Sequence, residues 1–155
     1  MAIPKLISLA KGSWQGKSKL NFSEDCEVEK VEESESVLDV QTDRQNTFAT
    51  LTYTWAYEGQ KQEGTLVIAG SERSEAVTGG WVDSWHQGSA LMSLRGTGMK
   101  ADRLSLTGAY AAPGQPDWGW RIELVLVDKA LELRMTNVSP TGVEAWAVVA
   151  VYMRA

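Results

Sequence analysis

His86 is the single histidine among the 155 residues, and Asp83 and Ser84 stand just before it. These are the residue types of a nucleophilic relay, in which a carboxylate orients an imidazole against a hydroxyl. On an extended strand, however, Asp83 points away from the face that carries Ser84 and His86, so a relay needs a bulge. We therefore interpret His86 as a satisfied or solvent-facing histidine beside a glycine turn. An enzyme that uses Asp83 and His86 is the less favoured alternative, since no catalytic constellation is recognised.

Asp83 is the one acidic residue in an apolar context, because Trp81 and Trp85 share its face of the predicted strand. If this face points inward, Asp83 is a buried acid among indole rings and needs a partner, for which an arginine is the natural choice. Two roles remain open for it. Asp83 either ties the fold together or holds the polar end of a ligand.

Other catalytic and cofactor sites find little support in the sequence. A single cysteine, Cys26, stands among acidic residues that raise the pKa of a thiol, so we expect an inert, inward-facing side chain. One histidine and one cysteine cannot form the usual metal-ligand clusters, and residues 12–16 lack the spacing of a phosphate loop. We expect neither a metal nor a cofactor. A net charge of −5 without a basic patch also argues against nucleic-acid binding.

Seven tryptophans are an unusual number for a chain of this length. Several of them lie on predicted inward faces, where large apolar rings either fill a core or line a cavity. Methionines on similar faces would add adaptable apolar contacts. The candidate ligand-binding residues are the aromatic and methionine side chains of these faces together with the acid among them: Tyr53, Trp55, Trp81, Asp83, Trp85, Met92, Trp118, Trp120 and Met135.

The elements that must position these residues are β-strands. Apolar and polar residues alternate with a period of two from Ala49 to Tyr57, and the same pattern recurs through the rest of the chain. Short turns separate the strands and leave no room for the crossover helices of a parallel sheet. A short helix after Pro4, ended by Gly12, precedes them. We predict a single all-β domain over residues 1–155, with about eight to ten antiparallel strands in a barrel or a sandwich.

The last predicted strand, roughly residues 144–154, is apolar on both faces and is therefore either central or covered on its outside. A covered outer face would suit a homodimer. The acidic stretch from Glu24 to Asp39 is interpreted as a solvated edge hairpin, with a docking surface for a basic partner as the alternative. No signal peptide and no membrane-spanning run of about 18 apolar residues are recognised, so we expect a soluble cytoplasmic protein.

Two sets of motifs resemble known families. The opening Gly12-x-Trp14-x-Gly16 after a helical turn resembles calycin barrels, the lipocalins and their relatives. In those proteins the tryptophan closes one end of the barrel and a late arginine packs across it. Arg154 is the counterpart that this resemblance implies, and Arg134 is the alternative.

The second set of motifs looks like an uncharacterised family, domain of unknown function 1579: Gly80-Trp81-Val82-Asp83-Ser84, Leu94-Arg95-Gly96-Thr97-Gly98, Leu104-Ser105-Leu106-Thr107-Gly108 and Tyr152-Met153-Arg154. This resemblance implies an antiparallel up-and-down calycin-like barrel and brings no activity. Trp85, His86 and the Trp118-Gly119-Trp120 segment depart from the family's usual residues. The related nitrobindin barrels bind haem through a late histidine, which residues 117–155 lack.

The expected function is binding of a small apolar or amphipathic molecule in the barrel interior, with Asp83 as the polar handle. This hypothesis requires an internal cavity larger than a couple of water molecules. The alternatives are a filled core with a homodimer through the last strand, and an enzyme that uses Asp83 and His86 at the barrel mouth.

Overall fold

Ten strands and one short helix make up the computed structural model, which describes residues 3–23, 29–70, 76–96 and 100–155. In chain order the elements are α1 (Lys5–Ala10), β1 (Gly12–Asn21), β2 (Val31–Thr42), β3 (Phe48–Tyr57), β4 (Gln60–Gly70), β5 (Val77–Asp83), a 3-10 turn (His86–Ser89), β6 (Met92–Gly96), β7 (Arg103–Tyr110), β8 (Trp118–Val127), β9 (Ala130–Val138) and β10 (Glu144–Arg154). Cys26, part of the predicted acidic stretch and the turn at residues 97–98 lie outside the described residues.

Each strand pairs antiparallel with its neighbours in the chain, and β1 pairs with β10 to close the barrel. The prediction of an all-β, up-and-down antiparallel barrel with a short N-terminal helix is therefore confirmed. Closure gives every strand two partners, which removes the exposed edges of an open sheet. Among the described residues, no helix is long and apolar enough to cross a membrane.

The alternation that predicted the strands also sets their inner and outer faces. On β3, Leu51, Tyr53 and Trp55 are buried in the barrel, while Thr52 and Thr54 between them are exposed. The barrel has two ends, which we name after a residue at each. The odd-numbered strands finish at the His86 end, and the even-numbered strands finish at the Trp14 end, where α1 also lies.

The Trp14 end is closed by α1 and by a stacked arginine. Helix α1 buries Leu6 and Ile7 completely, and the Trp14 indole Nε1 donates to the Ala10 carbonyl oxygen at 2.7 Å. The guanidinium of Arg154 lies 4.2 Å from the centre of the Trp14 ring and donates to the carbonyl oxygens of Leu9 and Lys11. Arg154 is therefore the arginine that packs across Trp14, while Arg134 pairs with Glu132 on the outer wall.

Replacing Arg154 with alanine should lower the free energy of unfolding by about 1–2 kcal/mol, because the variant loses a cation–π contact and two hydrogen bonds that hold the end of α1. Arg134→Ala is the matched control, and its partly exposed ion pair should change stability by no more than about 0.5 kcal/mol. Urea denaturation of both variants measures the difference. Equal effects would contradict the role assigned to Arg154.

The last strand is flanked by β1 and β9 in the closed barrel, which is the central position allowed by the sequence, and its outer face is exposed in the single chain. Val148, Ala150 and Tyr152 of β10 point inward, while Val151 is 42% exposed and Met153 is 50% exposed. A register shift against β9 between Trp146 and Val148 bends the strand. Strand β10 is therefore apolar on both faces because its inner side chains pack in the barrel core while its outer side chains form an unusually apolar surface.

Candidate functional site

A small space lies inside the barrel near the His86 end. Its lining combines polar side chains (Ser18, Tyr53, Asp83, His86 and Tyr152) with apolar ones (Leu20, Trp55, Leu133, Met135, Val148 and Ala150). The cavity volume is about 10 Å³, which is room for about one water molecule. The interior is thus nearly filled in this structure. The cavity larger than a couple of water molecules that the binding hypothesis required is not found among the described residues, so the barrel holds no preformed interior site for a larger ligand.

Asp83 lies at the centre of a hydrogen-bond network at the end of β5. One carboxylate oxygen, Oδ2, accepts from the Tyr53 hydroxyl at 2.7 Å and from the Trp55 indole Nε1 at 3.1 Å. The other, Oδ1, accepts from the backbone N–H groups of Trp85 at 2.8 Å and His86 at 3.1 Å. The Trp81 indole Nε1 completes the network by donating to the Tyr53 hydroxyl at 2.8 Å.

This network corrects the expectation of an arginine partner for Asp83. The carboxylate is 2% exposed, and none of the ion pairs among the described residues involves it. Four neutral donors stabilise the buried acid instead, and hydrogen bonds of this kind are strengthened by the charge of their acceptor. Asp83 therefore ties β3 and β5 to the turn that follows, which is the structural role left open by the sequence.

The same hydrogen bonds explain why the chain does not continue as a strand beyond Asp83. A side chain that accepts from the backbone two and three residues ahead favours a turn over the sheet ladder. The chain accordingly turns at Trp85, and His86 comes back over the barrel end. The expectation that Asp83 and His86 lie on opposite faces of one strand is thus wrong, and so is a solvent-facing His86, because the residue is 8% exposed.

The imidazole of His86 is enclosed by indole rings. Its ring centre lies 5.4 Å from that of Trp55, in a stacked arrangement, and 4.8 Å from that of Trp85, edge to face. The ring centres of Trp81 and Trp120 lie at 5.7 and 5.5 Å. We call these four tryptophans the indole box. Within the described residues, neither ring nitrogen of His86 forms a hydrogen bond.

The structure brings most of the predicted ligand-binding residues together, but not all. Tyr53, Trp55, Asp83 and Met135 line the cavity, and Trp81 and Trp120 contact His86. Met92 is buried and pairs across the strands with Trp81, but it does not line the cavity. Trp85 does not share a strand face with Trp81, and it is 38% exposed at the barrel end.

Trp118 is the predicted residue that lies outside the indole box. Although the alternation of β8 places it on the same face as Trp120, it begins the strand at the rim of the barrel, where it is half-buried. Its indole Nε1 donates to the side-chain oxygen of Gln115 at 3.0 Å. Trp118 is thus only partly buried, whereas the sequence predicts that it points into the interior.

The interpretation of the sequence missed Ser18 and Tyr152 as cavity residues. The alternation of β1 and β10 carries the signal for both, since each shares the inward face of its strand with buried apolar neighbours. Tyr152 forms a 2.7 Å hydrogen bond with Ser36 of β2, which no local pattern could reveal. Burial raises the pKa of Tyr152 to about 12, so its hydroxyl stays neutral.

Burial also sets the charge state of the other titratable groups that face His86. It raises the pKa of Tyr53 well above its usual value, and the nearby Asp83 carboxylate adds to this shift. Burial lowers the pKa of His86, and Asp83 opposes that shift. The imidazole is therefore neutral at pH 7, with one nitrogen as donor and the other as acceptor. No group of three metal-ligating side chains occurs in the part of the chain that the structure describes.

The lowered pKa of His86 predicts a loss of stability in acid. Well above pH 6.5 the imidazole is neutral in both the folded and the unfolded chain, so it contributes no pH dependence there. As the pH falls below 6.5, the unfolded chain takes up the proton first, and the free energy of unfolding decreases until the folded imidazole is protonated as well. Because His86 is the single histidine, proton NMR of its ring gives the folded pKa directly. A midpoint at or above 6.5 would contradict the prediction.

Two comparisons place the chain among known proteins. The crystal structure of Rv2717c from M. tuberculosis is similar to it with a TM-score of 0.64, over 100% of this chain and 99% of that chain. At 14% sequence identity this similarity shows the fold alone. No curated protein matches the chain. The family model described as protein of unknown function (DUF1579) matches residues 5–154, nearly the whole length, and the chain therefore belongs to this family.

Proposed function

We propose that the protein binds a small amphipathic molecule inside the barrel, at the His86 end. The observation that carries this proposal is the indole Nε1 of Trp120, which is buried at the His86 end and has no hydrogen-bond partner among the described residues. Leaving a polar group buried and unpaired costs about 1–3 kcal/mol. A ligand that offers an acceptor to this N–H removes the cost.

The imidazole of His86 lies next to this N–H. The ring of Trp120 is stacked on Trp81 at 5.3 Å, and the centre of the imidazole lies 5.5 Å from it. Neither imidazole nitrogen forms a hydrogen bond within the described residues. The lining of the adjoining cavity has an apolar part (Leu20, Leu133, Met135, Val148 and Ala150) and a polar part (Ser18, Tyr53, Asp83 and Tyr152). This mixed lining suits an amphipathic molecule.

Because the cavity holds only about one water molecule, a ligand must displace protein atoms, and the turn that carries His86 is the segment suited to move. Gln87, Gly88 and Ser89 have φ values of 55°, 60° and 63°. The left-handed conformation costs a non-glycine residue about 1–2 kcal/mol. The turn is therefore held in this conformation by the contacts of Trp85 and His86 with the barrel and by the hydrogen bond from the Ser89 hydroxyl to the Ser84 carbonyl oxygen. The strained residues Gln87 and Ser89 make it the segment that we expect to move.

Titration with N-phenyl-1-naphthylamine, an uncharged and largely apolar probe with one N–H group, tests the proposal. We expect saturable binding of one probe per chain together with a shift of the His86 ring signals in proton NMR. Trp85→Ala should weaken binding because it opens the indole box, while Trp118→Ala at the same barrel end is the matched control and should not. Absence of saturable binding, or binding that leaves the His86 signals unchanged, would refute the proposal.

A second candidate function, homodimerisation, has its own observation. The outward side chains Val149, Val151 and Met153 of β10 form an apolar strip on the barrel wall, flanked by Lys17 of β1 and Glu132 of β9 beside Val151. A two-fold axis along the strip would place the lysine of one copy opposite the glutamate of the other. Sedimentation equilibrium of the protein and of Val151→Lys tests this. A wild-type monomer at high micromolar concentration would exclude it.

A further inference from the structure

We propose that the head of the ligand is an organic cation, and that it takes the place which the imidazole of His86 occupies in this structure. The inference rests on the proposed function and adds the chemical class of the ligand. Three observations carry it: the geometry of the indole box, the carboxylate of Asp83 without an ion-pair partner, and the imidazole without a side-chain hydrogen bond.

The geometry of the indole box is that of a cation site. The centre of the imidazole lies between 4.8 and 5.7 Å from the ring centres of Trp55, Trp81, Trp85 and Trp120. A cation that lies over the face of an indole, within about 6 Å of the ring centre, is attracted by the ring's quadrupole, and tryptophan gives the strongest such interaction. The imidazole is stacked on Trp55, so a methylated ammonium group in its place would lie over the face of that indole, with the other three ring centres within 6 Å.

The charge of the site also favours a cation over an anion or a neutral head. Asp83 hydrogen-bonds to the Tyr53 hydroxyl and the Trp55 indole, and both of these donors are neutral. No ion pair among the described residues balances its charge, and the imidazole next to it is neutral because burial lowers its pKa. A cationic head would balance the carboxylate, while an anionic head would be repelled by it. The formal net charge of −5 adds a long-range attraction for cations.

The imidazole is held by ring contacts alone, so another group that makes such contacts can replace it. It makes ring contacts with the indole box but forms no side-chain hydrogen bond with the described residues. Only the backbone N–H of His86 is held, by Asp83 at 3.1 Å. The ring can therefore leave the box by side-chain rotation and movement of Gln87–Ser89, while Asp83 keeps its bonds to β3. A cation in this place would replace the contacts between the neutral imidazole and the indoles with stronger cation–π contacts.

Choline and its uncharged isostere 3,3-dimethylbutan-1-ol form the matched pair of probes, because they differ in a single atom, a nitrogen cation in place of a carbon. We expect choline to bind about tenfold more tightly, measured from the shift of the His86 ring signals and by calorimetry. Trp85→Leu, which keeps an apolar side chain but removes the indole, should reduce this preference. Trp118→Leu, outside the indole box, should leave it unchanged.

The outcomes separate this inference from the proposed function. If the uncharged alcohol binds as tightly as choline and shifts the His86 signals, the cationic head is refuted while interior binding stands. If neither probe shifts the His86 signals at millimolar concentration, the head-group site is refuted, and interior binding is judged by the naphthylamine probe alone. Binding of choline that survives unchanged in Trp85→Leu would also overturn the inference.

Discussion

Replacing Asp83 with asparagine should lower the free energy of unfolding by about 3 kcal/mol or more. The carboxylate accepts hydrogen bonds from Tyr53, Trp55 and the backbone N–H groups of Trp85 and His86. An asparagine of nearly the same shape turns one acceptor oxygen into an NH₂ donor, which then faces other donors in a buried site. Breaking one partner of a buried, charged hydrogen-bond network typically costs about 3–5 kcal/mol.

Asp117→Asn is the matched control, because this residue is exposed beside β8 and makes none of the hydrogen bonds or ion pairs of the described structure. Its free energy of unfolding should change by no more than about 0.5 kcal/mol. Urea denaturation followed by tryptophan emission measures both variants. The Asp83 variant should also broaden the His86 ring signals, because the backbone bond that positions the turn is weakened. An Asp83 variant as stable as the control would mean that the network does not hold this end of the barrel.

The barrel could be predicted from the sequence because its signal is local. A period of two repeats through every strand, and the short connections exclude parallel crossovers. The alternation predicts inward positions for Tyr53, Trp55 and Met135, and these side chains lie in the interior. It also predicts an inward position for Trp118, but alternation does not tell where a strand reaches the rim of the barrel.

The candidate site was harder to predict because its contacts join residues far apart in the chain. Tyr53 and Asp83 are 30 residues apart, and Ser36 and Tyr152 are 116 apart. Barrel closure and strand register bring them together, and neither is encoded in a single segment. The predicted position of His86 was wrong for a different reason. In the sequence, a buried carboxylate that ends its own strand cannot be told from any other residue of that strand.

Replacing Gly16 with alanine should lower the free energy of unfolding by about 3 kcal/mol or more, because a Cβ at this position would lie 1.9 Å from the backbone carbonyl oxygen of Val151. This is the contact between β1 and β10 that closes the barrel, and a backbone oxygen cannot move aside as a flexible side chain can. The Gly-x-Trp-x-Gly opening thus has a physical reason at each glycine. Gly12 has a φ of 118° beside Arg154, and Gly16 permits the close approach of the closing strand.

Gly80→Ala on β5 separates this steric effect from the general consequences of replacing a glycine in a strand. A Cβ at Gly80 would meet its nearest atom, of Leu91, at 3.6 Å, which is an ordinary contact. The variant should be unchanged or more stable by about 0.4–1 kcal/mol, because alanine reduces the conformational freedom of the unfolded chain. The midpoints of thermal unfolding of Gly16→Ala and Gly80→Ala should therefore differ by about 6 °C or more. If both glycines tolerate alanine equally, β1 and β10 do not approach as closely as the closed barrel requires, and closure of the barrel at this seam would be disproved.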